Sequence, residues 1–191
     1  MAEATALVVG YVIGSIDFAV LASRLKGVDI YAEGSGNPGA SNVSRVIGRG
    51  AGALVLVGDL LKGVGAAAFG EQVGGSELIG LAAGGLAVTG HCFPVWHRFR
   101  GGKGVATTVG VLLWVIPWLG LGLAAVWAAI IAATRVSSFG SLTIVTLAIP
   151  GVWLWAEQAR SAVVMAAISL LVVARHKDNI RRMLGAGEHS L

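Results

Sequence analysis

Apolar residues occur in long runs along the chain, without the alternating pattern of a soluble strand or the one-sided pattern of a soluble helix. The runs are 14 to 31 residues long and are separated by polar, glycine-rich segments. A helix needs about 20 apolar residues to cross the hydrocarbon core of a bilayer, although shorter spans exist. The pattern therefore predicts an all-α, polytopic integral membrane protein. The runs cover 5–21, 51–69, 78–93, 104–134, 140–156 and 161–174.

The longest run, 104–134, decides how many spans are predicted. As one helix it would be about 46 Å long, whereas the hydrocarbon core is roughly 30 Å thick. Pro117 lies near the middle of this run, and proline breaks or kinks a helix. Two shorter spans, 105–116 and 118–133, are the alternative, and they raise the total from six to seven.

The distribution of basic residues favours seven spans. With the N-terminus outside, seven spans place 12 of the 14 lysines and arginines on one side, whereas six spans divide them 8 against 5. Because these residues collect in cytoplasmic loops, we expect seven transmembrane helices, with the N-terminus outside and the C-terminus in the cytoplasm. The 191 residues are expected to form a single membrane-embedded domain. No signal peptide is expected, because the first five residues carry no positive charge.

The composition agrees with this prediction and excludes other classes of protein. Charged residues make up 13% of the chain, about half the share in a soluble domain, and the mean hydropathy is +0.80. A disulfide scaffold is excluded because Cys92 is the only cysteine. The net charge of +4 is interpreted as a topology signal, and no nucleic-acid partner is expected, since that would need a basic stripe on a soluble domain.

Three segments rich in glycine, in charge or in both, 34–45, 90–104 and 175–182, fall on the predicted cytoplasmic side. Glycine lets the backbone approach an anion closely, and exposed N–H groups, lysine and arginine bind it. The segments therefore predict a phosphate pocket at the membrane surface. No histidine or cysteine pair has the spacing of metal ligands, so neither a metal nor a cofactor is expected.

Two glycine motifs in these segments resemble nucleotide-binding signatures but lack the required context. Gly34, Gly36 and Gly39 form G-x-G-x-x-G, yet the helices predicted after them are apolar on every side, unlike those of a dinucleotide-binding fold. The segment 101–104 is not a Walker A loop, because glycine follows its lysine where serine or threonine is required. Lys103 instead opens a helix, whose dipole also favours an anion.

Several candidate residues retain a structural alternative. Ser35 is a nucleophile, an anion-binding hydroxyl or a turn residue, and anion binding is favoured because no hydrolase elbow surrounds it. His176 and Asn179 share one face of a continuing helix, or else form a solvated helix end. Asp59 and Lys62 lie within a span at the same spacing, as a structural ion pair or as a functional one.

In their order along the chain, these motifs resemble the bacterial acyl-phosphate:glycerol-3-phosphate acyltransferase family. Each motif is weak alone, but the ordered set covers nearly the whole chain. There are two departures: Ser41 stands where threonine is usual, and Asp17 follows Gly14-Ser15-Ile16 where proline is common. The matching segments are 34–42 followed by Arg45, 59–63, 90–94, 99–107, 134–138, and 175–182 with Gly185 and Glu188.

The resemblance implies an enzyme of the bacterial cell (inner) membrane with its active site facing the cytoplasm. It implies acyl transfer from acyl phosphate to the 1-hydroxyl of glycerol 3-phosphate, which yields lysophosphatidic acid and phosphate in the first step of phospholipid synthesis. The two substrates and membrane lipids are the implied partners, and no obligate protein partner is inferred. The implied catalytic residues are Ser35, Arg45, Lys103, His176 and Asn179. The residues expected to bind phosphate are Gly36, Asn37, Asn42, His91, Gly101, Gly102 and Gly104.

The sequence favours one route of acyl transfer and leaves one competing class of protein. An acyl phosphate is already activated, and the His-x-x-x-x-Asp motif of other glycerolipid acyltransferases is absent, so direct transfer without an acyl-enzyme is expected. The competing class is a transporter or channel for phosphate esters, because Asp59 and Lys62 lie within a span. Inverted repeats would favour a transporter, and the sequence shows none.

Overall fold

The described residues, 1–156 and 159–185, form ten α-helices and one short 3-10 helix, without a β-strand, in a computed structural model of the chain. The all-α prediction is confirmed over these residues. The 3-10 helix covers Val95–His97. The α-helices are α1 (Ala2–Gly14), α2 (Phe18–Leu25), α3 (Ala40–Val46), α4 (Arg49–Gly74), α5 (Glu77–Cys92), α6 (Val105–Val115), α7 (Pro117–Thr134), α8 (Ser137–Trp155), α9 (Ala159–Arg175) and α10 (Lys177–Gly185).

Five helical segments of the described chain are long and apolar enough to cross a membrane. A sixth is obtained if α9 and α10, which are bent by 58° at their junction, are counted as one broken span. Helix α6 is apolar, but its eleven residues give it a length of only about 16 Å. The protein is thus a polytopic membrane protein, and the count of seven spans stays a prediction. The five segments are Ala2–Leu25, Arg49–Gly74, Glu77–His97, Pro117–Thr134 and Ser137–Trp155.

The predicted break at Pro117 is confirmed. Helix α6 ends at Val115, and Ile116 has the non-helical dihedrals φ −138° and ψ 79°. Pro117 then occupies the first position of α7, where its missing N–H group would have had no helical partner in any case. The long apolar run is therefore two helices packed against each other.

The first apolar run, expected as one helix over 5–21, is broken between Gly14 and Phe18. Asp17 has extended dihedrals, and its carboxylate accepts a hydrogen bond from the backbone N–H of Val20 at 3.0 Å. An aspartate that satisfies such an N–H group starts a new helix. Asp17, which stands where proline is common in the family, is therefore the N-cap of α2. This capping is the physical reason that the expected single helix is interrupted.

Glycines let α6 approach α4 closely. A Cβ atom at Gly110 would overlap the backbone carbonyl of Leu60, and one at Gly63 would overlap that of Thr107. Membrane helices use small residues in this way, because the hydrophobic effect does not drive helices together in lipid. Their association depends instead on van der Waals packing, which close backbone contact provides. The contact brings the start of α6, which follows Lys103, beside the buried polar part of α4.

Two apolar clusters hold the polar segments in place. The larger lies among α5, α6, α8 and α9 and includes Val88, Leu112 and Met165. The smaller contains Ile30 and Val43, and it fixes the loop before α3 against α2 and α4. The glycine-rich loops are thus mounted on packed helices.

Candidate functional site

The first glycine-rich segment is held by Asn42, whose side chain is almost fully buried. Its Oδ1 accepts a hydrogen bond from the Ser35 N–H at 2.9 Å, and its Nδ2 donates to the Glu33 carbonyl at 3.0 Å. Gly34 and Gly36 adopt positive φ of 60° and 66°, so the turn around Ser35 suits glycine. Asn42 therefore fixes the loop that carries Ser35, an arrangement beyond the phosphate contact predicted for it.

The second glycine-rich segment folds back on the end of α5. The N–H groups of Gly101 and Gly102 donate to the carbonyls of Cys92 and His91 at 3.2 and 3.0 Å. A Cβ atom at Gly102 would overlap the His91 imidazole ring. Gly104 has a φ of 87° and is the N-cap of α6. The glycines thus let the loop lie directly on His91.

Arg175 fastens this loop to α9. Its Nη2 donates to the Gly101 carbonyl at 2.7 Å, and its Nε donates to the Gly102 carbonyl at 3.1 Å. The guanidinium also lies over the ring of Phe93, 5.1 Å from its centroid. Arg175 was not among the residues predicted for the site, although it is the first basic residue of the third polar segment. It sets the position of the backbone that carries Lys103.

The third segment contributes His176 and Asn179. Helix α9 ends at Arg175 and α10 begins after a 58° bend, so the expected continuing helix is not formed. Both side chains nevertheless line the same cavity, where Lys103 Nζ donates a hydrogen bond to Asn179 Oδ1. The Nδ1 of His176 lies 2.7 Å from the Val172 carbonyl, which only accepts. In the neutral ring the proton is therefore on Nδ1, and Nε2 is the basic nitrogen.

Tyr31 connects the first two segments. Its hydroxyl donates to the Arg100 carbonyl at 2.7 Å, and the Arg100 guanidinium lies over its ring, 4.7 Å from the centroid. Burial raises the pKa of the Tyr31 hydroxyl above its usual value near 10. The hydroxyl therefore remains a hydrogen-bond donor at neutral pH. Sequence reasoning missed Tyr31, because nothing near it in the chain indicates a partner 69 residues away.

The three segments enclose one cavity of about 990 Å³. The positions of the predicted site residues agree with one shared pocket, although their roles stay predictions. Gly102 is the single predicted residue outside the lining; it is buried behind the cavity wall. The predicted residues that line the cavity are Ser35, Gly36, Asn37, Asn42, Arg45, His91, Gly101, Lys103, Gly104, His176 and Asn179.

The cavity lining combines basic side chains from the three polar segments, here called its basic end, with apolar side chains from the surrounding helices. Within the described ranges its lining contains six lysines and arginines but two acidic residues, a composition that favours anions. The basic residues are Arg45, Arg100, Lys103, Arg175, Lys177 and Arg182, and the acidic ones are Asp59 and Asp178. The apolar wall is formed by residues such as Leu56, Leu60, Val105, Val109, Trp127, Ile144 and Leu171.

No group of three or more metal-ligating side chains is found in the part of the chain that the structure describes. The arrangement offers instead a hydrogen-bond acceptor at His176 Nε2 and a cation at Lys103. These groups are suited to moving a proton and stabilising negative charge.

Comparison with known proteins identifies the family. The sequence model of the family described as glycerol-3-phosphate acyltransferase matches residues 4–186. A glycerol-3-phosphate acyltransferase of Thioalkalivibrio sulfidiphilus is 42% identical over 98% of this chain and 94% of its own length. The corresponding protein of Cupriavidus necator is 44% identical over 98% of this chain and 96% of its own length.

Solved structures agree with the sequence comparison. Crystal structures of PlsY, an integral membrane glycerol 3-phosphate acyltransferase, are similar in its glycerol 3-phosphate form (TM-score 0.93) and its lysophosphatidic acid form (TM-score 0.90). Each is 34% identical, and the match covers 100% of this chain and 96% of that chain. The family model, the relatives that are more than 40% identical and the similar solved structures together show that this chain belongs to the glycerol-3-phosphate acyltransferase family.

Proposed function

We propose that the protein transfers a fatty acyl group from acyl phosphate to the 1-hydroxyl of glycerol 3-phosphate, in the first step of phospholipid synthesis. The products are lysophosphatidic acid and inorganic phosphate. The observation that carries this proposal is a cavity whose lining joins basic, glycine-rich segments to apolar side chains of the helices. Both substrates carry phosphate, and one carries a long acyl chain. The crystal structures of PlsY in its glycerol 3-phosphate and lysophosphatidic acid forms support glycerol 3-phosphate as the acceptor and lysophosphatidic acid as the product.

The chemistry needs charge stabilisation and removal of one proton. The 1-hydroxyl oxygen bonds to the acyl carbon, the bond between that carbon and the phosphate oxygen breaks, and phosphate leaves with the electron pair. His176 Nε2 accepts the hydroxyl proton, because Nδ1 is committed to the Val172 carbonyl. Lys103 and Arg45, both in the cavity wall, stabilise negative charge on phosphate and on the developing oxyanion.

Ser35 acts in this proposal as an anion-binding hydroxyl. Direct transfer needs no acyl-enzyme, because acyl phosphate is already an activated donor. Mass spectrometry of intact protein after incubation with palmitoyl phosphate alone is expected to show no added acyl group. An acyl adduct that forms on the wild-type protein but not on the Ser35→Ala variant would refute direct transfer.

The proposed reaction is tested with purified protein, palmitoyl phosphate and labelled glycerol 3-phosphate. Labelled lysophosphatidic acid is expected, with one inorganic phosphate released for each product molecule. Palmitoyl-coenzyme A in place of palmitoyl phosphate tests the choice of donor, and it is expected to give no product. Uptake of label into protein-containing vesicles without product would contradict the proposal and identify a transporter.

The proposed topology has seven spans in the bacterial inner membrane, with the cavity facing the cytoplasm. Support comes from the basic residues around the cavity and from the break at Pro117. Because Cys92 is the only cysteine, single-cysteine variants are readily made in a Cys92→Ser background. In intact cells, an impermeant maleimide is expected to label Gln72→Cys but not Lys26→Cys. Labelling of the cysteine at position 26 from outside would invert the orientation and exclude a cytoplasmic site.

Replacing Arg175 with glutamine is expected to raise the KM for glycerol 3-phosphate about 10- to 100-fold. This range corresponds to losing charge-assisted hydrogen bonds worth roughly 1.5–3 kcal/mol. Without the bonds to Gly101 and Gly102, the loop that carries Lys103 is no longer held in place. Steady-state kinetics measures the effect, with exposed Arg24→Gln as the control. An unchanged KM would show that the loop holds its position without Arg175.

A further inference from the structure

Three charged or titratable side chains lie buried beside the cavity, within α4 and α5. The side chains of Asp59, Lys62 and His91 are 4%, 2% and 6% exposed. Lys62 Nζ and Asp59 Oδ1 form an ion pair at 2.8 Å. Burying charges in a membrane protein is costly, so such a group is by default a candidate for function, even where pairing lowers the cost. The reaction proposed above uses neither Asp59 nor Lys62.

The contacts of Lys62 determine the proton position on His91. Lys62 Nζ lies 2.8 Å from the Ile16 carbonyl and 2.7 Å from His91 Nδ1. An ammonium group only donates, so Nδ1 of His91 accepts, and the ring proton of neutral His91 is on Nε2. A proton on Nδ1 would point at the ammonium group. The distance from Nδ1 to Asp59 Oδ1 is longer, at 3.4 Å.

The protonated edge of His91 faces the phosphate-binding loops. His91 belongs to the cavity lining, and its Nε2 faces the position that a Cβ atom of Gly102 would take. The Pro38 carbonyl lies 2.7 Å from the same Cβ position, so the first and second glycine-rich segments meet here. His91 and Pro38 both line the cavity, so an N–H donor at this junction lies beside the phosphate pocket.

We propose that Lys62, paired with Asp59, is a positioning residue that holds His91 in the Nε2–H form, so that His91 donates a hydrogen bond to a substrate phosphate. This inference rests on the proposed function, since the phosphate is that of acyl phosphate or glycerol 3-phosphate. Under this proposal the two histidines of the cavity have different roles. His91 presents a donor at Nε2, whereas His176, with its proton on Nδ1, presents an acceptor at Nε2.

A double-mutant cycle tests whether Lys62 acts through His91. Asp59 and Lys62 are replaced together, by asparagine and methionine, because removing one alone would leave an unpaired buried charge. This pair variant is expected to lower kcat/KM about 10- to 100-fold, the range for a charge-assisted hydrogen bond. In a His91→Gln background, which has no tautomer to set, the same pair variant is expected to change kcat/KM less than about 3-fold. An equal loss in both backgrounds would overturn the proposal.

Nuclear magnetic resonance of protein labelled with ¹⁵N- and ¹³C-histidine in detergent gives a second readout, independent of activity. The His91→Gln variant identifies the His91 signals. The wild-type protein is expected to show Nε2–H, and the pair variant a mixture of tautomers. Wild-type His91 with its proton on Nδ1 would overturn the inference even if the enzyme is active. The Nε2–H form in a protein without acyltransferase activity would instead refute only the proposed function. Lys26→Met, at an exposed lysine, is the control expected to change neither readout.

Discussion

Replacing Lys103 with methionine is expected to lower kcat about 10²- to 10³-fold, the usual cost of losing one donor that stabilises negative charge in a transition state. Methionine keeps much of the length of the side chain but removes its charge. Lys103 lines the basic end of the cavity and donates a hydrogen bond to Asn179, so it connects the second and third polar segments. The other lysine in the described cavity lining, Lys177, lies on α10 and not on the loop 101–104.

Steady-state kinetics with both substrates varied separates the two roles of this lysine. A fall in kcat shows that the charge acts in the transition state, and a rise in KM for glycerol 3-phosphate shows ground-state binding. Lys26→Met is the matched control, because Lys26 is exposed and is not part of the cavity lining. If the Lys103 variant keeps wild-type kcat and KM, this lysine has no part in binding phosphate or in catalysis.

Replacing Gly102 with alanine is expected to reduce activity by about 10²-fold or more, although Gly102 itself does not line the cavity. The added Cβ would overlap the His91 ring and lie 2.7 Å from the Pro38 carbonyl oxygen. Relief of this overlap requires the loop to move away from α5. A displacement of about 1 Å at a catalytic group costs about 10² in rate, and Lys103 is the next residue in the chain.

The control for this prediction is Gly65→Ala, in an exposed part of α4 where a Cβ would meet nothing within 4 Å. That substitution is expected to leave activity unchanged and to stabilise α4 by up to about 1 kcal/mol. Thermal unfolding in detergent shows whether the Gly102 variant remains folded, since overpacking costs roughly 1–3 kcal/mol. A folded Gly102 variant with full activity would mean that the loop need not lie on His91.

Local chemistry made part of this structure predictable. Long uncharged runs indicated membrane helices, because a bilayer leaves backbone groups no partners except each other. Pro117 indicated the break between α6 and α7, because proline lacks an N–H and clashes within a helix. Glycine, lysine and arginine in three segments indicated a phosphate pocket, since these residue types bind anions wherever the fold brings them together.

Other features depended on contacts that no local pattern reveals. The first helix breaks because Asp17 caps α2, and an aspartate in an apolar run gives no sign of whether it will cap a helix or pair with a cation. Ser137 at the start of α8 lies against Ser41, with 3.2 Å between the hydroxyl oxygens, and both line the cavity. The bend after Arg175 brings His176 and Asn179 to the cavity without a shared helix face.

The residue types alone predicted a multi-helix membrane protein and an anion pocket built from three polar segments, because apolar length and charge act through the solvent and need no partner. Packing settled the rest. Lys62 meets His91, 29 residues away, because glycines let α4 and α5 approach closely. Arg175 meets Gly101, 74 residues away, because the loop folds back on the end of α5 beside α9. Hydrogen bonds act over about 3 Å, so the rotation of each packed helix chooses their partners.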